Sequence, residues 1–216
     1  MPTFLAIYFI SMTFLASCQS TERKIVYAAW EKVGVEKRDI LKDRITDAKN
    51  DQKKAGETFT DALDRLRAVY QVDGGELAKR YDKLKSSYDD AESDAKKVHQ
   101  SIVKVETVAN DLFEEWAKED DEIKTSDLRS KSREQLAATK ARYQDLHASL
   151  KTAETRMDPI LSAFKDQVLY MKHNLNTQAI VSLKGETLNI EKDIRLLIER
   201  MNKSIAESDK FIAQLK

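Results

Sequence analysis

Three histidines, His99, His147 and His173, are the side chains of this 216-residue sequence best suited to metal binding or acid–base catalysis. None of them stands in the His-Glu-x-x-His or Cys/His spacing of a zinc site. The sequence contains no Gly-x-Ser-x-Gly turn and no glycine-rich phosphate loop. His99 follows Val98 and His147 follows Leu146, positions where a half-exposed polar residue is the ordinary interpretation. We therefore expect no enzyme, no catalytic residue, no cofactor and no metal site.

The only cysteine, Cys18, ends the sequence Leu15-Ala16-Ser17-Cys18 directly after an apolar stretch at 4–16. Small residues before a cysteine resemble the bacterial lipobox, in which the thiol is lipidated and the cysteine becomes the N-terminus. The apolar stretch has the length of a signal-peptide core and is shorter than the roughly 20 residues of a spanning helix. These features predict lipidation of Cys18.

The predicted anchor gives the chain a location. Residues 1–17 are then a lipoprotein signal peptide, and Gln19 lacks the aspartate associated with inner-membrane retention. By analogy with lipoprotein sorting, we expect a lipid anchor on the periplasmic face of the outer membrane. Two alternatives stay open. One is an uncleaved anchor with an incidental thiol, which the lack of a basic residue before the apolar stretch supports, and the other is a plain secretory signal.

Composition excludes several classes of protein. The 37 Lys and Arg residues balance 37 Asp and Glu residues, so the basic excess of a dedicated nucleic-acid binder is missing. Only 5 Gly, 2 Pro and 1 Cys are present, too few for the turns of an all-β fold or for a disulfide framework. The composition is typical of a helical protein.

Apolar residues recur in alternating steps of three and four along two long segments, which indicates two coiled-coil helices. The first series is Leu41, Ile45, Ala48, Gln52, Ala55, Phe59, Ala62, Leu66 and Val69. The second is Leu77, Tyr81, Leu84, Tyr88, Ala91, Ala95, Val98, Ile102, Val105, Ala109, Leu112 and Trp116. Gln52, the only polar member of the first series, is interpreted as a core residue that sets the register.

Two further series predict a third and a fourth helix. The third comprises Tyr143, Leu146, Leu150, Ala153, Met157, Ile160, Phe164, Val168, Met171 and Leu175, and the fourth Ile180, Leu183, Ile190, Ile194, Leu197, Met201, Ile205, Ile212 and Leu215. Pro159 interrupts the hydrogen bonds of the third helix, and we expect a kink because the apolar phase continues across it. Gly185 is either tolerated within the fourth helix or marks an irregularity.

These helices predict an all-α fold: an elongated antiparallel bundle or coiled coil of about four long helices at 37–216. A lipidated tether with a short helical segment, residues 18–36, precedes it. Turns near residues 74, 125 and 176 give the three longer helices roughly 40 to 50 residues each, or about 60 to 75 Å. We expect Ile45 to face Ile102, and Trp30 and Trp116 to pack at the same end.

The same turns predict that polar residues gather at the end of the rod opposite the anchor. They are Asp73, Glu76, Lys172, His173 and Asn176. A structural interpretation suffices, because cations oppose the dipole at a helix C-terminus and carboxylates favour an N-terminus. The functional alternative is a patch that binds a partner.

A run of four carboxylates at 119–122 could attract divalent cations. Without a loop that fixes six or more oxygen atoms, a solvated helix end is the better interpretation.

Four segments of the sequence resemble a bacterial lipoprotein family known as domain of unknown function 2959. They lie at 31–45, 73–77, 112–116 and 166–186, and the resemblance covers residues 18–215. It implies an all-helical lipoprotein of the cell envelope. The family has no assigned activity, so the resemblance implies no catalytic or binding residue.

Anchor, rod and missing catalytic motifs together favour a structural or interaction protein. It would be a lipid-anchored rod that presents a protein-binding surface in the periplasm, with the membrane and an unidentified envelope protein as partners. The alternative is an envelope enzyme or enzyme activator that acts on peptidoglycan. A lipid-shaping protein would need a basic apolar surface along the rod, and the balanced charge argues against it.

Overall fold

A computed structural model describes residues 36–70, 76–174 and 176–215, with side chains at 176, 185 and from 187 onward in the last range. The helices are α1 (Lys37–Val69), α2 (Leu77–Glu122), α3 (Ser126–Glu154), α4 (Met157–His173) and α5 (Thr177–Gln214). No strand occurs among these residues. The prediction of an all-α bundle is confirmed.

The helices pack as a four-membered ring in which α3 and α4 together form the third member. α1 packs on α2 and α5, α2 also packs on α3 and α4, and α5 closes the ring against both. With 46 residues, α2 is about 69 Å long at ~1.5 Å per residue.

Contacts between α1 and α2 establish that they are antiparallel. Lys37 pairs with Glu115 near one end of the hairpin. At the other end the Arg80 guanidinium donates a hydrogen bond to the Ala68 carbonyl at 2.7 Å. The Arg38 guanidinium lies 5.6 Å from the centre of the Trp116 ring, so α1 begins beside this tryptophan. Trp30 lies outside the described residues.

The predicted apolar series form the core. Every member of the first series is buried, and so is the second apart from Tyr81 and Trp116, which are half-buried. The third series is buried from Tyr143 to Met171. In α5 Ile190, Ile194, Leu197 and Met201 are buried, whereas Ile205 and Ile212 are half-buried. Leu215, just beyond the end of α5, is also buried. The side chains of Leu175, Ile180 and Leu183 lie outside the described part of the chain. Gln52 is also fully buried.

The third predicted helix is interrupted rather than continuous. α3 ends at Glu154 and α4 begins at Met157, although Thr155 and Arg156 keep right-handed helical dihedral angles. Pro159 explains the interruption, because it has no N–H for the Thr155 carbonyl and its ring crowds that carbonyl. As the third residue of α4, Pro159 lies in the first turn, where a helix tolerates proline. The buried apolar series continues from Ala153 to Met157 across the break. This continuity is the observation on which the expectation of a kink depended.

Candidate functional site

A groove of about 550 Å³ follows the break between α3 and α4 and has α2 as its opposite wall. Its volume falls within the roughly 300–1,000 Å³ of small-ligand sites. Ala95, Met157 and Leu161 contribute apolar surface to it, and each is at most 8% exposed. These three residues belong to the bundle core, so the groove has an apolar floor that is part of the core.

An interhelical hydrogen bond occupies the end of the groove at the break. The His99 imidazole contacts the carboxylate of Glu154 through Nδ1, and Lys151 pairs with the other carboxylate oxygen. The Glu154 side chain is only 11% exposed. The hydrogen bond between Lys151 and Glu154 raises the pKa of the Lys151 amine, which therefore stays in its charged form. Glu154 thus has its charge balanced within the protein.

A second hydrogen bond occupies the far end of the groove. The Tyr88 hydroxyl donates to the Glu92 carboxylate at 2.7 Å, both on α2. Burial, followed by the nearby Glu92 carboxylate, raises the pKa of the Tyr88 phenol. This tyrosine stays protonated at neutral pH and acts as a donor rather than as a base.

Three other charged side chains of the groove make no ion pair with any described residue. They are Lys96 on α2 and Asp158 and Lys165 on α4, all exposed. Glu154 is paired with Lys151, but the neutral Tyr88 hydroxyl does not cancel the charge of Glu92, so two cations and two carboxylates of the groove face a ligand.

The groove also contains a serine, but the geometry does not pair it with the histidine. Ser162 lies eight residues beyond Glu154, the partner of His99, which is about 12 Å along the rod at ~1.5 Å per residue. A nucleophile and its base need to be within about 3 Å. Ser162 and His99 therefore do not form a nucleophile–base pair in this groove.

His147 makes a related contact further along the same interface. Its Nε2 lies 2.7 Å from the Glu106 carboxylate on α2, and its ring stacks on Tyr143 with centroids 5.9 Å apart. The sequence predicts only ordinary polar positions beside a seam for His99 and His147. Both instead bridge α2 and α3, an arrangement that depends on helices far apart in sequence.

The polar residues predicted at the end of the rod opposite the anchor, here called the distal patch, are Asp73, Glu76, Lys172, His173 and Asn176. This patch is only partly assembled among the described residues. Glu76 precedes α2, and Lys172 and His173 lie in the last turn of α4, where the charge of Lys172 opposes the helix dipole. The Tyr70 hydroxyl donates to Gln167 at 2.8 Å, which brings the end of α1 to the end of α4. These groups and the exposed Asn176 therefore share one end of the rod.

Among the described residues, Glu76, Lys172 and His173 make no ion pair with one another. Glu76 pairs with Arg80 at 3.8 Å, and neither Lys172 nor His173 has a hydrogen bond or ion pair among described residues. Asp73 and Cys18 lie outside the described residues.

A cationic notch beside Glu76 was not anticipated from the sequence. Arg65, Lys79, Arg80 and Lys83 surround Glu76 in a recess of about 170 Å³ between the end of α1 and the start of α2. The signal was present as Lys79, Arg80 and Lys83 on one helical face, but the contribution of Arg65 depends on the hairpin register.

The interpretation of residues 119–122 as a solvated helix end is wrong at one position. Asp120 is 1% exposed, and neither of its carboxylate oxygens has a hydrogen-bond partner among the described residues. Asp121 pairs with Arg133 at 2.8 Å across the turn to α3. The run thus faces the bundle at Asp120 and solvent on either side.

Metal binding and membrane spanning find no support in the described part of the chain. No group of three or more His, Cys, Asp and Glu side chains is arranged there to hold a metal ion. None of the helices described has a stretch long and apolar enough to span a bilayer.

Comparison with known families gives one match. The model of a family described as protein of unknown function (DUF2959) matches residues 26–215, which include every described helix. No curated protein matches the sequence.

Proposed function

Since the chain belongs to the DUF2959 family, whose function is unknown, we propose a function from its own side chains: a lipid-anchored rod that presents a protein-binding surface. Lipidation of Cys18 attaches it to the outer membrane on the periplasmic side. The lone cysteine after a small-residue, signal-like segment supports the anchor.

The observation that carries the proposal is the separation of the two ends. α1 begins at Lys37 beside Glu115 and Trp116, and it ends at Val69 beside the distal turn. Its 33 residues place these ends about 50 Å apart at ~1.5 Å per residue. An anchor that leads into Lys37 thus leaves Glu76 and His173 far from their point of attachment.

A variant of the distal end tests the proposal. In cells that express the full chain, formaldehyde should crosslink it to an envelope protein, and E76A/H173A should lose that product. Both side chains are exposed, so unfolding should change by under ~0.5 kcal/mol. E122A/K124A, two exposed residues at the opposite end, is the control and should crosslink normally. Equal crosslinking of both double variants would contradict a binding surface at the distal end.

A further inference from the structure

Two arginines lie beside the break between α3 and α4, on the side away from the groove. The first, Arg156, comes two residues after Glu154 and is therefore about 200° further round the helix. Glu154 contacts His99 of α2, and the other helix of the ring that packs on α3 and α4 is α5. The half-buried side chain of Arg156 thus lies on the side of α5.

The second arginine, Arg200, lies at the same interface on α5. Ile198 packs against Gly56 of α1, because a carbon added to Gly56 would lie 3.2 Å from the Cδ1 atom of Ile198. Arg200 comes two residues after Ile198, again about 200° further round, so it lies on the side of α3 and α4. Its side chain is half-buried as well.

Two contacts fix how α5 is aligned with α3 and α4. Toward one end the rings of Tyr143 and Phe211 have centroids 6.2 Å apart. Toward the other end the Tyr70 hydroxyl lies beside both Gln167 of α4 and Thr187 of α5. The two contacts are separated by the same number of residues on both sides of the interface, so the antiparallel register is constant between them.

This register brings the two arginines to one level of the rod. Arg200 precedes Phe211 by eleven residues and Glu154 follows Tyr143 by eleven residues, so Arg200 and Glu154 are level. Arg156 is two residues further, about 3 Å along the axis at ~1.5 Å per residue. Two guanidinium groups of like charge therefore share one side of the break.

Neither guanidinium is neutralised by a described residue. The side chains of Arg156 and Arg200 make no hydrogen bond or ion pair with any of those residues, and the Nε atom of Arg200 is buried without an acceptor. A half-buried charge without a partner is costly, and a second like charge beside it adds repulsion.

Carboxylates of α5 do not offset the two arginines. Asp193 and Glu207 are each seven residues from Arg200, about 10 Å along the rod at ~1.5 Å per residue, and Glu207 already has a lysine partner. Glu199 and Lys203 are exposed and one helical turn apart, so their opposite charges balance.

Carboxylates of α3 and α4 do not face the arginines either. Glu154 and Asp158 lie on the groove side of the break. Asp145 and Asp166 are ten or more residues from Arg156, at least about 15 Å at ~1.5 Å per residue. Two positive charges thus remain for a ligand, whereas the cations and carboxylates of the groove balance each other.

We infer that this interface binds a phosphoryl group between Arg156 and Arg200. A guanidinium donates hydrogen bonds from a planar fork that matches the oxygen atoms of a phosphate, and one phosphate can accept from two such forks. Its negative charge also removes the repulsion between the arginines. The site is at the helix break and not at the distal patch, so the inference does not depend on the proposed function.

Isothermal titration calorimetry of the purified full chain tests this inference. The probe is sodium phosphate at pH 7, and sodium chloride at the same ionic strength is the ligand control. We expect a saturable one-site isotherm with phosphate only. R156Q/R200Q should weaken phosphate binding by at least about tenfold.

R44Q/R133Q is the matched variant, because it removes the same charge from two arginines that already pair with Asp47 and Asp121. It should keep the wild-type Kd within twofold. Equal loss of binding in both double variants, or the lack of a saturable isotherm for the wild type, would overturn the inference.

Thermal unfolding keeps the test independent of folding defects. Without phosphate, R156Q/R200Q should unfold at no lower temperature than the wild type, because the repulsion between the arginines is gone. Phosphate should raise the Tm of the wild type and of R44Q/R133Q, since a ligand that binds the folded state stabilises it. An equal rise in R156Q/R200Q would contradict the assignment.

Glycerol 3-phosphate distinguishes two sources of the phosphoryl group, a lipid headgroup and the free anion. Tighter binding of glycerol 3-phosphate than of inorganic phosphate, by about tenfold or more, identifies a headgroup. Any smaller preference identifies the free anion.

Discussion

Arg67, in the last turn of α1, pairs with Glu191 of α5 at 2.7 Å and so joins the first and last helices of the bundle. Glu191 also pairs with Arg195 one turn further along α5. The hydrogen bond from Arg67 is the main reason why the pKa of the Glu191 carboxyl lies below its usual range. Arg67 lies one turn before Tyr70, the residue that contacts Gln167, so this ion pair is near the distal end.

This pair predicts a dependence of stability on pH. A carboxyl group whose pKa is lowered by folding stabilises the protein above its unfolded pKa, and this contribution is lost as the pH falls through the folded value. Wild type should therefore be more stable than E191Q at pH 7, and the difference should shrink below about pH 4. Urea denaturation at pH 7 and pH 3 measures it. A difference that is the same at both pH values would contradict the assignment.

Phe164 is fully buried on α4, just beyond the helix break. Phe164→Ala removes a large core side chain and should lower the free energy of unfolding by about 3 to 5 kcal/mol. Leu169→Ala, on the exposed face of the same helix, should change it by under ~0.5 kcal/mol. Denaturant titration compares them, and similar effects would show that α4 is not packed through Phe164.

Gly185 lies within α5, and a methyl group added to it would meet no atom within 4 Å beyond its chain neighbours and the backbone of its own helix, so alanine fits there. Gly185→Ala should raise the free energy of unfolding by about 0.5 to 1 kcal/mol, because alanine favours the helix over the unfolded chain. At Gly56 the added carbon would lie 3.2 Å from Cδ1 of Ile198, so Gly56→Ala should stabilise less. Thermal unfolding ranks the two variants, and the reverse order would contradict the close approach of α1 and α5.

Cys18→Ser should abolish incorporation of radioactive palmitate in bacterial cells, because the serine hydroxyl replaces the thiol that accepts the lipid. The membrane-bound fraction should fall in parallel. Ser17→Ala keeps a small residue before the cysteine and serves as the control that remains labelled. Unchanged labelling of C18S would rule out lipidation at this site.

Sequence periodicity predicted the helices well because an apolar seam is a local property. The residues from Leu41 to Val69 need only a partner helix to become buried. The core of α5 was harder to predict, since Ser204 and Ser208 are fully buried in the same helix as Phe211, and serines add no apolar signal.

The candidate groove could not be predicted from the sequence. It depends on the break at Thr155 and Arg156 and on the register that brings Glu154 to His99, 55 residues away. Burial of Asp120 likewise depends on how helices meet at the end of α2 and not on the charge of its neighbours. Single-residue patterns contain no information about either arrangement.

The measurement that tests the account most directly is photocrosslinking in intact cells from a reactive amino acid placed at His173, Ser162 or Lys118 of the full chain. All three positions are exposed, and Lys118 is at the end near the proposed anchor. We predict that His173 and Ser162 capture the same envelope protein and that Lys118 does not. Capture of that protein equally from all three positions, or from none, would contradict a rod that presents its binding surface at the distal end.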